Sequence, residues 1–253
     1  MFNLVDLKDK KILVVGASQG IGEQIAITLS KLGAQIILAS RNEEKLKNVL
    51  QKLEGEAEHQ YCCLDVKKLE QIENCIKEFV EEIGSLDGMV YCAGITGDRP
   101  LSMSNISAVA EVLQVNLQGF IEMVRCVTKK GRYNSGMRIV GISSTSSLRG
   151  GKAHTAYSAS KAGMDGAIRS MAVELAEKGI CINSVAPAAI KTEMYEKYMN
   201  GVGKNTATTK LERQYLGIGL PEDVANAVAF LISPAARLIT GVCLPVDGGS
   251  LSN

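Results

Sequence analysis

Short apolar segments alternate along the chain with longer segments in which apolar residues recur at helical spacing. The short segments predict strands at residues 11–15, 34–39, 59–63, 89–92, 138–142, 181–186 and 242–246. The longer segments predict helices at residues 22–32, 43–53, 69–83, 106–127, 155–176 and 221–232. Alternation of this kind, with near-continuous apolar strands, is typical of a parallel sheet buried on both faces. The pattern predicts a doubly wound α/β fold with a seven-stranded parallel sheet flanked by helices on both faces.

The alternation runs through the chain without an internal repeat or a proline-rich linker, so a single domain over residues 1–253 is expected. One segment, residues 188–219, interrupts it with Tyr195, Tyr198, Gly203 and a threonine-rich stretch at 206–209. A long irregular insertion late in an α/β fold is often a substrate lid. We therefore expect a substrate loop at about 188–219, acting together with the loop at 95–103.

Composition limits the classes of function. A net charge of +1 gives no reason to expect nucleic acid or a membrane surface as a partner. No apolar run approaches the roughly 18 residues that span a bilayer. Residues 1–11 lack the apolar stretch of a signal peptide, so a cytoplasmic protein is predicted. The seven cysteines are odd in number and show no CxxC spacing, so reduced thiols and no metal site are expected.

A glycine-rich loop follows the first predicted strand. It reads Gly16-Ala-Ser-Gln-Gly20-Ile-Gly22 and leads directly into a predicted helix. Glycines at this point allow a tight turn and bring backbone N–H groups close to a pyrophosphate, and the helix N-terminus adds partial positive charge. The strand, loop and helix together predict a Rossmann fold that binds a dinucleotide.

The end of the second predicted strand indicates which dinucleotide is bound. NAD-specific folds usually place an acidic residue there to accept hydrogen bonds from the ribose hydroxyl groups. This chain has Ser40 and then Arg41, and a guanidinium is well suited to a 2′-phosphate. NADP(H) is therefore the expected cofactor, and NAD(H) is the less favoured one.

A tyrosine and a lysine four residues apart open the helix predicted at 155–176. Tyr157 and Lys161 therefore project from one face, while Ser143 and Ser144 end the strand at 138–142, on the edge where such sheets bind ligands. Carbonyl reduction needs a proton at oxygen, and a nearby ammonium is expected to lower the pKa of the tyrosine from about 10. The arrangement predicts an oxidoreductase that transfers hydride between nicotinamide and a carbonyl or secondary alcohol.

These motifs resemble those of the short-chain dehydrogenase/reductase family, and the resemblance covers essentially the whole chain, including the ending Val246-Asp-Gly-Gly249. Family members place the catalytic serine thirteen positions before the tyrosine, which selects Ser144 over Ser143 and Thr145. The resemblance further implies that Asn116 is a catalytic residue that holds a proton-relay water for the lysine.

The motifs and the resemblance together imply the cofactor contacts. They are Gly16, Ser18, Gln19, Gly20, Ile21, Gly22, Ser40, Arg41, Asp65, Val66, Cys92, Ala93, Gly94, Tyr157, Lys161, Pro187, Ile190 and Thr192. The chain departs from the family pattern at several positions. Tyr91 and Cys92 replace two asparagines, and Gln19 stands where NADP(H)-dependent members often carry a basic residue.

Three functions compete at this point. The first is a small-carbonyl or alcohol oxidoreductase, and the second is a 3-oxoacyl-acyl-carrier-protein reductase of fatty acid synthesis. The second is disfavoured because Val173 stands where the resemblance implies a carrier-contacting arginine, although Lys129, Lys130 and Arg132 offer part of a basic patch. The third is a non-catalytic dinucleotide sensor, and retention of the Ser-Tyr-Lys set argues against it.

The resemblance also implies self-association. The helices predicted at 106–127 and 155–176 carry many small and apolar residues, including Ala159, Ala162 and Gly163. In the family these two helices form a dimer interface, and a second interface near the last strand completes a tetramer. A homotetramer with D₂ symmetry is therefore expected.

Overall fold

The computed structural model describes residues 5–201 and 213–252. Seven parallel strands form one sheet in the order β3-β2-β1-β4-β5-β6-β7. The strands are β1 Lys11–Val15, β2 Gln35–Ser40, β3 Gln60–Cys63, β4 Leu86–Tyr91, β5 Tyr133–Ile142, β6 Cys181–Pro187 and β7 Cys243–Val246. The predicted seven-stranded Rossmann fold is confirmed.

Helices cover both faces of the sheet. In the described parts of the chain they are α1 Gly20–Lys31, α2 Glu43–Leu50, α3 Leu69–Ile83, α4 Ile106–Leu113, α5 Gly119–Val127, α6 Thr155–Ala176, α7 Glu193–Gly201 and α8 Pro221–Ile232. Alternate residues of β2 show how the two cores form. Ile36 and Leu38 pack with residues of α1, α2 and α8, whereas Ile37 and Ala39 pack with residues of α3, α5 and α6.

Two strands begin earlier than predicted. β4 starts at Leu86 and β5 starts at Tyr133, because in each strand polar residues or glycine follow the first residue and interrupt the apolar pattern. In β4 the polar residue has a structural role, since the Asp87 carboxylate accepts a hydrogen bond from the backbone N–H of Lys11 at 3.0 Å.

The single helix predicted at 106–127 is interrupted. A π-helical turn, Gln114–Gln118, separates α4 from α5 and carries Asn116. The apolar spacing is nearly unchanged across such a turn, so the sequence pattern does not reveal it. Turns of this type occur frequently at functional sites.

The sequence predicted an irregular segment at 188–219, but part of this segment is helical. It contains α7, whose first turn is supported by Thr192, because the threonine hydroxyl accepts from the backbone N–H of Tyr195 at 3.3 Å. An isolated parallel bridge joins Ile190 to Gly219 at its two ends. Gly203 and the threonines of 206–209 lie outside the described residues.

In the parts of the chain that the structure describes, no helix is long and apolar enough to cross a bilayer.

Candidate active site

The glycine loop lies at the carboxyl end of β1, against the end of β4. Gly16 has a φ of +84°, and a Cβ there would lie 2.5 Å from the backbone nitrogen of Ala93. A Cβ at Gly22 would lie 2.2 Å from the carbonyl oxygen of Gly16. Gln19 precedes α1 without capping it through its side chain. The turn therefore requires glycine, and the first turn of α1 keeps N–H groups that can bind an anion.

One cavity of about 1340 Å³ follows the carboxyl edge of the sheet from this loop to the segment after β6. Each of the eighteen residues that the sequence assigned to the cofactor lines it, from Gly16 through Asp65 and Ala93 to Thr192. Parallel strands bring their carboxyl ends to one edge, so residues far apart in the chain meet there. Ser144 lines the same cavity, whereas Asn116 is buried behind it.

The Ser144 hydroxyl lies close enough to the Tyr157 hydroxyl to act on its pKa, which it lowers. Neighbouring Ser143 is turned away, because its hydroxyl donates to the buried Asp165 carboxylate at 3.0 Å. Thr145 opens a short 3₁₀ turn, Thr145–Ser147, in which the Ser144 oxygen accepts from the backbone N–H of Ser146. Of the three hydroxyl residues at this strand end, Ser144 is the one whose side chain acts on the tyrosine hydroxyl.

Lys161 is buried beside this pair. Its ammonium donates to the carbonyl oxygen of Ile142 at 2.7 Å and lies 5.8 Å from the centroid of the Tyr157 ring. Burial lowers the pKa of Lys161 to about 8, and the nearby Cys92 and Asp165 oppose that change. A lysine with this pKa remains largely protonated at neutral pH and gives up its proton readily just above it.

The pKa of Tyr157 differs from the sequence expectation. The sequence predicted that Lys161 lowers it, but burial raises it, with the Ser144 hydrogen bond acting in the opposite direction and Asp98 adding a smaller upward contribution. The reason is geometric, since the ammonium binds the Ile142 carbonyl and lies over the aromatic ring. The phenol therefore stays protonated at neutral pH.

Comparison with known proteins identifies the family. The family model described as enoyl-(acyl carrier protein) reductase matches residues 16–250. The chain belongs to the short-chain dehydrogenase/reductase family. Like other members of the family it is an oxidoreductase of carbonyl and CH–OH groups that uses a nicotinamide cofactor.

Relatives cover this member of the family almost end to end. The 3-oxoacyl-acyl-carrier-protein reductase FabG of Rickettsia bellii is 38% identical over 248 residues, spanning 98% of this chain and 99% of that protein. The FabG of Vibrio cholerae is 33% identical over 245 residues, spanning 97% and 98%. Among solved structures, a 7α-hydroxysteroid dehydrogenase complexed with NADH and 7-oxo glycochenodeoxycholic acid has a TM-score of 0.90 and 29% identity, with 98% of both chains covered.

In this short-chain dehydrogenase/reductase, Asn116 joins the segment after β4 to α6 behind the cavity by hydrogen bonds. Its amide donates to the carbonyl oxygen of Ile95 and to the Ser160 hydroxyl, both at 2.9 Å, and its oxygen accepts from the backbone N–H of Ile95 at 2.9 Å. Both N–H donors are therefore used, and one lone pair of the oxygen remains. A Cβ on Gly94 would lie 3.3 Å from that oxygen and 3.5 Å from the Lys161 nitrogen, so Asn116 and Lys161 are close neighbours.

Tyr91, which departs from the family pattern, packs against a glycine at the start of α5. The Tyr91 side chain is fully buried and its hydroxyl donates to the carbonyl oxygen of Val115, within the π-helical turn, at 2.6 Å. A Cβ on Gly119 would lie 2.6 Å from the same hydroxyl oxygen. The large residue at the end of β4 and the glycine at the start of α5 are thus complementary, and together they support the turn that carries Asn116.

The cavity also has lining residues that the sequence did not assign, among them Asp98, His154 and Lys45. Asp98 and His154 lie near the reactive hydroxyls: the His154 Nδ1 is 3.6 Å from the Asp98 carboxylate, and its ring is 6.0 Å from the Tyr157 ring between centroids. Lys45 lies at the opposite end. A histidine three positions before the tyrosine, or a lysine in the first turn of α2, has no distinguishing sequence pattern and is found only from the fold.

A nicotinamide dinucleotide fits the residues present. The glycine loop leaves a cradle that Cβ atoms would fill, and Ser40 offers a buried hydroxyl oxygen that has no hydrogen-bond partner among the described residues. Residues 16–22 would hold the pyrophosphate, Asp65 and Val66 the adenine, and Ile190 and Thr192 the nicotinamide amide. Their shared cavity leads to the Ser144–Tyr157 pair.

Proposed function

We propose that this protein is an NADP(H)-dependent oxidoreductase that interconverts a carbonyl compound and a secondary alcohol, with Tyr157 as the proton donor and acceptor. The observation that carries the proposal is the placement of Ser144, Tyr157 and Lys161 together in the cavity that begins at the glycine loop, with the Lys161 ammonium 5.8 Å from the centroid of the Tyr157 ring. A non-catalytic sensor would have no need for this arrangement.

The reduction needs a hydride at carbon and a proton at oxygen, and the nicotinamide supplies the hydride when bound. The Ser144 hydroxyl orients the carbonyl oxygen. As negative charge develops on that oxygen, the O–H bond of Tyr157 breaks and the proton passes to it, leaving a phenolate that Lys161 stabilises. The raised pKa of Tyr157 supports this direction, because the residue starts as a protonated acid. Oxidation is the reverse.

Asn116 is proposed to act in reprotonation of the site. Its two N–H donors hold Ile95 and Ser160, so a relay water would be held by the remaining oxygen lone pair or by the backbone of the π-helical turn. That oxygen neighbours the Lys161 ammonium across Gly94, which supports a proton path that ends at the lysine.

NADP(H) is proposed as the preferred cofactor. Ser40 and Arg41 line the cavity at the end of β2, and neither carries negative charge that would repel a 2′-phosphate. Arg41 is exposed, so its guanidinium can approach a phosphate without a large desolvation cost. We expect NADPH to bind the unmodified protein more tightly than NADH in a direct titration, and equal affinities would contradict the proposal.

A second candidate is reduction of a 3-oxoacyl group carried on acyl carrier protein, favoured by the FabG relatives that match nearly the whole chain. The basic patch considered for carrier binding is partly neutralised, because Lys129 and Arg132 both pair with Glu73, and Lys129 and Arg125 hold the pKa of that carboxylate at about 2. Val173, with 75% of its surface exposed, offers the carrier no charge.

A single domain is proposed for residues 1–253, with 188–219 as the substrate loop, because Tyr195 and Met199 of α7 line the same cavity as Tyr157. A homotetramer with D₂ symmetry is supported by apolar residues exposed on α4 and α6, since Ile106 has 85% and Val173 75% of its surface exposed. Light scattering at micromolar concentration should give four times the chain mass.

All seven cysteines are free thiols, which supports a cytoplasmic location.

The proposed activity is tested with a panel of small carbonyl compounds, alcohols and 3-oxoacyl thioesters, followed at the nicotinamide absorbance band with NADPH or NADP⁺. Each thioester is supplied both on acyl carrier protein and on a short carrier-free analogue. Turnover of small carbonyls supports the first candidate. A marked preference for the carrier-bound thioester over its analogue supports the second, and no turnover of any compound would contradict both.

A further inference from the structure

Lys45 of α2 reaches the glycine loop from across the end of β2. Its ammonium donates to the side-chain oxygen of Gln19 at 2.5 Å, and both residues line the cavity. Ser40 and Arg41 line the same end of the cavity. The lysine thus brings a positive charge to Gln19, the position where NADP(H)-dependent members of the family often carry a basic residue of their own.

The start of α2 fixes where the lysine lies. The Asn42 side chain caps the helix by accepting from the backbone N–H of Lys45 at 2.9 Å, which places Lys45 in the first helical turn. Its ammonium does not stabilise α2, because a cation near a helix N-terminus interacts unfavourably with the helix macrodipole. A role outside α2 accounts for its position better than a role in helix stability.

The charge of Lys45 is also not neutralised locally. The only side-chain partner that the structure gives it, among the described residues, is the uncharged amide of Gln19. Lys47, two positions later, contrasts with it, because it pairs with the Glu43 carboxylate at 2.8 Å and does not line the cavity. Lys67, which does line the cavity, pairs with Glu111. Among the described residues Lys45 therefore has no acidic partner that would compete with an anionic ligand.

The ligand group that these residues suit is a phosphate monoester. Ser40 contributes a buried hydroxyl oxygen without a partner among the described residues, and Arg41 and Lys45 contribute two cations at the rim. Charged donors of this kind bind phosphate oxygens strongly. We propose that Lys45 is a specificity-determining residue for the cofactor 2′-phosphate, supplying from α2 the cation that Gln19 does not provide. The proposal rests on the proposed NADP(H) preference.

The test compares two lysines on one helix. The dissociation constants of NADPH, NADH, 2′,5′-ADP and 5′-AMP are measured by titration for the unmodified protein, Lys45→Gln, Lys45→Arg and the control Lys47→Gln. We expect Lys45→Gln to weaken NADPH and 2′,5′-ADP by about 10-fold at low salt, the effect of losing about 1.4 kcal/mol. NADH and 5′-AMP should change by less than about 2-fold. Because the exposed charge is screened, the loss should shrink as salt is added.

The remaining variants identify the cause. Lys45→Arg keeps the charge and should retain most of the affinity for NADPH, and Lys47→Gln should bind all four ligands like the unmodified protein. If the unmodified protein prefers NADPH and Lys45→Gln keeps that preference in full, the assignment of Lys45 is wrong while Ser40 and Arg41 stand. If the unmodified protein binds NADPH and NADH equally, the cofactor preference fails and the assignment of Lys45 fails with it. Equal weakening of NADH and NADPH would also overturn the assignment.

Discussion

The fit between Tyr91 and Gly119 predicts a strong energetic coupling between the end of β4 and the start of α5. Tyr91→Phe keeps the ring, which packs edge-on against Phe120 with centroids 5.5 Å apart, and removes the hydroxyl that donates to Val115. The Val115 carbonyl then loses its buried partner, which costs about 1–3 kcal/mol. Gly119→Ala alone places a methyl group 2.6 Å from that hydroxyl oxygen, and overpacking of this kind costs about 1–3 kcal/mol.

The double variant should be less damaged than the sum of the two single variants. Without the hydroxyl, the alanine methyl group has space on that side, although Val66 remains close at 3.2 Å. Alanine is also favoured over glycine within a helix by up to about 1 kcal/mol. We therefore expect the double variant to be about as stable as Tyr91→Phe alone, with a coupling energy of at least about 1 kcal/mol.

Urea unfolding followed by circular dichroism measures these energies. All variants are compared at one protomer concentration, because assembly shifts the apparent stability. The slope of the free energy of unfolding against urea should be unchanged, so that midpoints report stability alone. If the two losses in the free energy of unfolding simply add in the double variant, the Tyr91 hydroxyl does not occupy the space that a methyl group at position 119 would need. That result would refute this reasoning.

Three further predictions concern the cofactor loop and Lys161. Gly22→Ala should abolish measurable cofactor binding, because its Cβ would lie 2.2 Å from the Gly16 carbonyl oxygen. The control Gly150→Ala should bind cofactor normally, because Gly150 lines the same cavity and has open space around its Cβ position. Unchanged cofactor binding in Gly22→Ala would contradict the proposed role of the glycine loop. The rate of reduction should fall as pH rises through about 8, where buried Lys161 loses its proton, and a rate that stays flat from pH 7 to 10 would contradict its role. The lowered pKa of Lys161 also means that its burial disfavours folding below about pH 8. Its contribution to stability should therefore increase between about pH 8 and the unfolded-state pKa near 10.5, which urea unfolding at several pH values would measure.

Much of the fold follows from local sequence pattern. The strand and helix alternation predicts the sheet because each element must bury an apolar face, and α3, α6 and α8 begin and end where the spacing places them. The cofactor and catalytic residues other than Asn116 meet because each lies at or after the carboxyl end of a parallel strand or opens the next helix. Their order along the chain is therefore enough to place them at one edge of the sheet.

Other features depend on contacts that a linear pattern does not contain. The π-helical turn changes the spacing too little to be seen, and α7 is polar enough to read as loop. The raised pKa of Tyr157 depends on burial and on the direction in which the Lys161 ammonium points, since four-residue spacing alone suggests a lowered pKa. The contact of Lys45 with Gln19 joins residues 26 positions apart and requires the folded loop.

The most direct test of the account is Tyr157→Phe, which keeps the ring and removes the hydroxyl that lies beside Ser144. Cofactor affinity, measured by titration, and the rate of carbonyl reduction at saturating substrate, measured at the nicotinamide absorbance band, are compared with the unmodified protein. Because a positioned acid contributes roughly 10²–10⁴-fold, we predict near-normal cofactor binding with turnover reduced by that factor. A variant that binds cofactor and retains near-normal turnover would show that Tyr157 is not the proton donor.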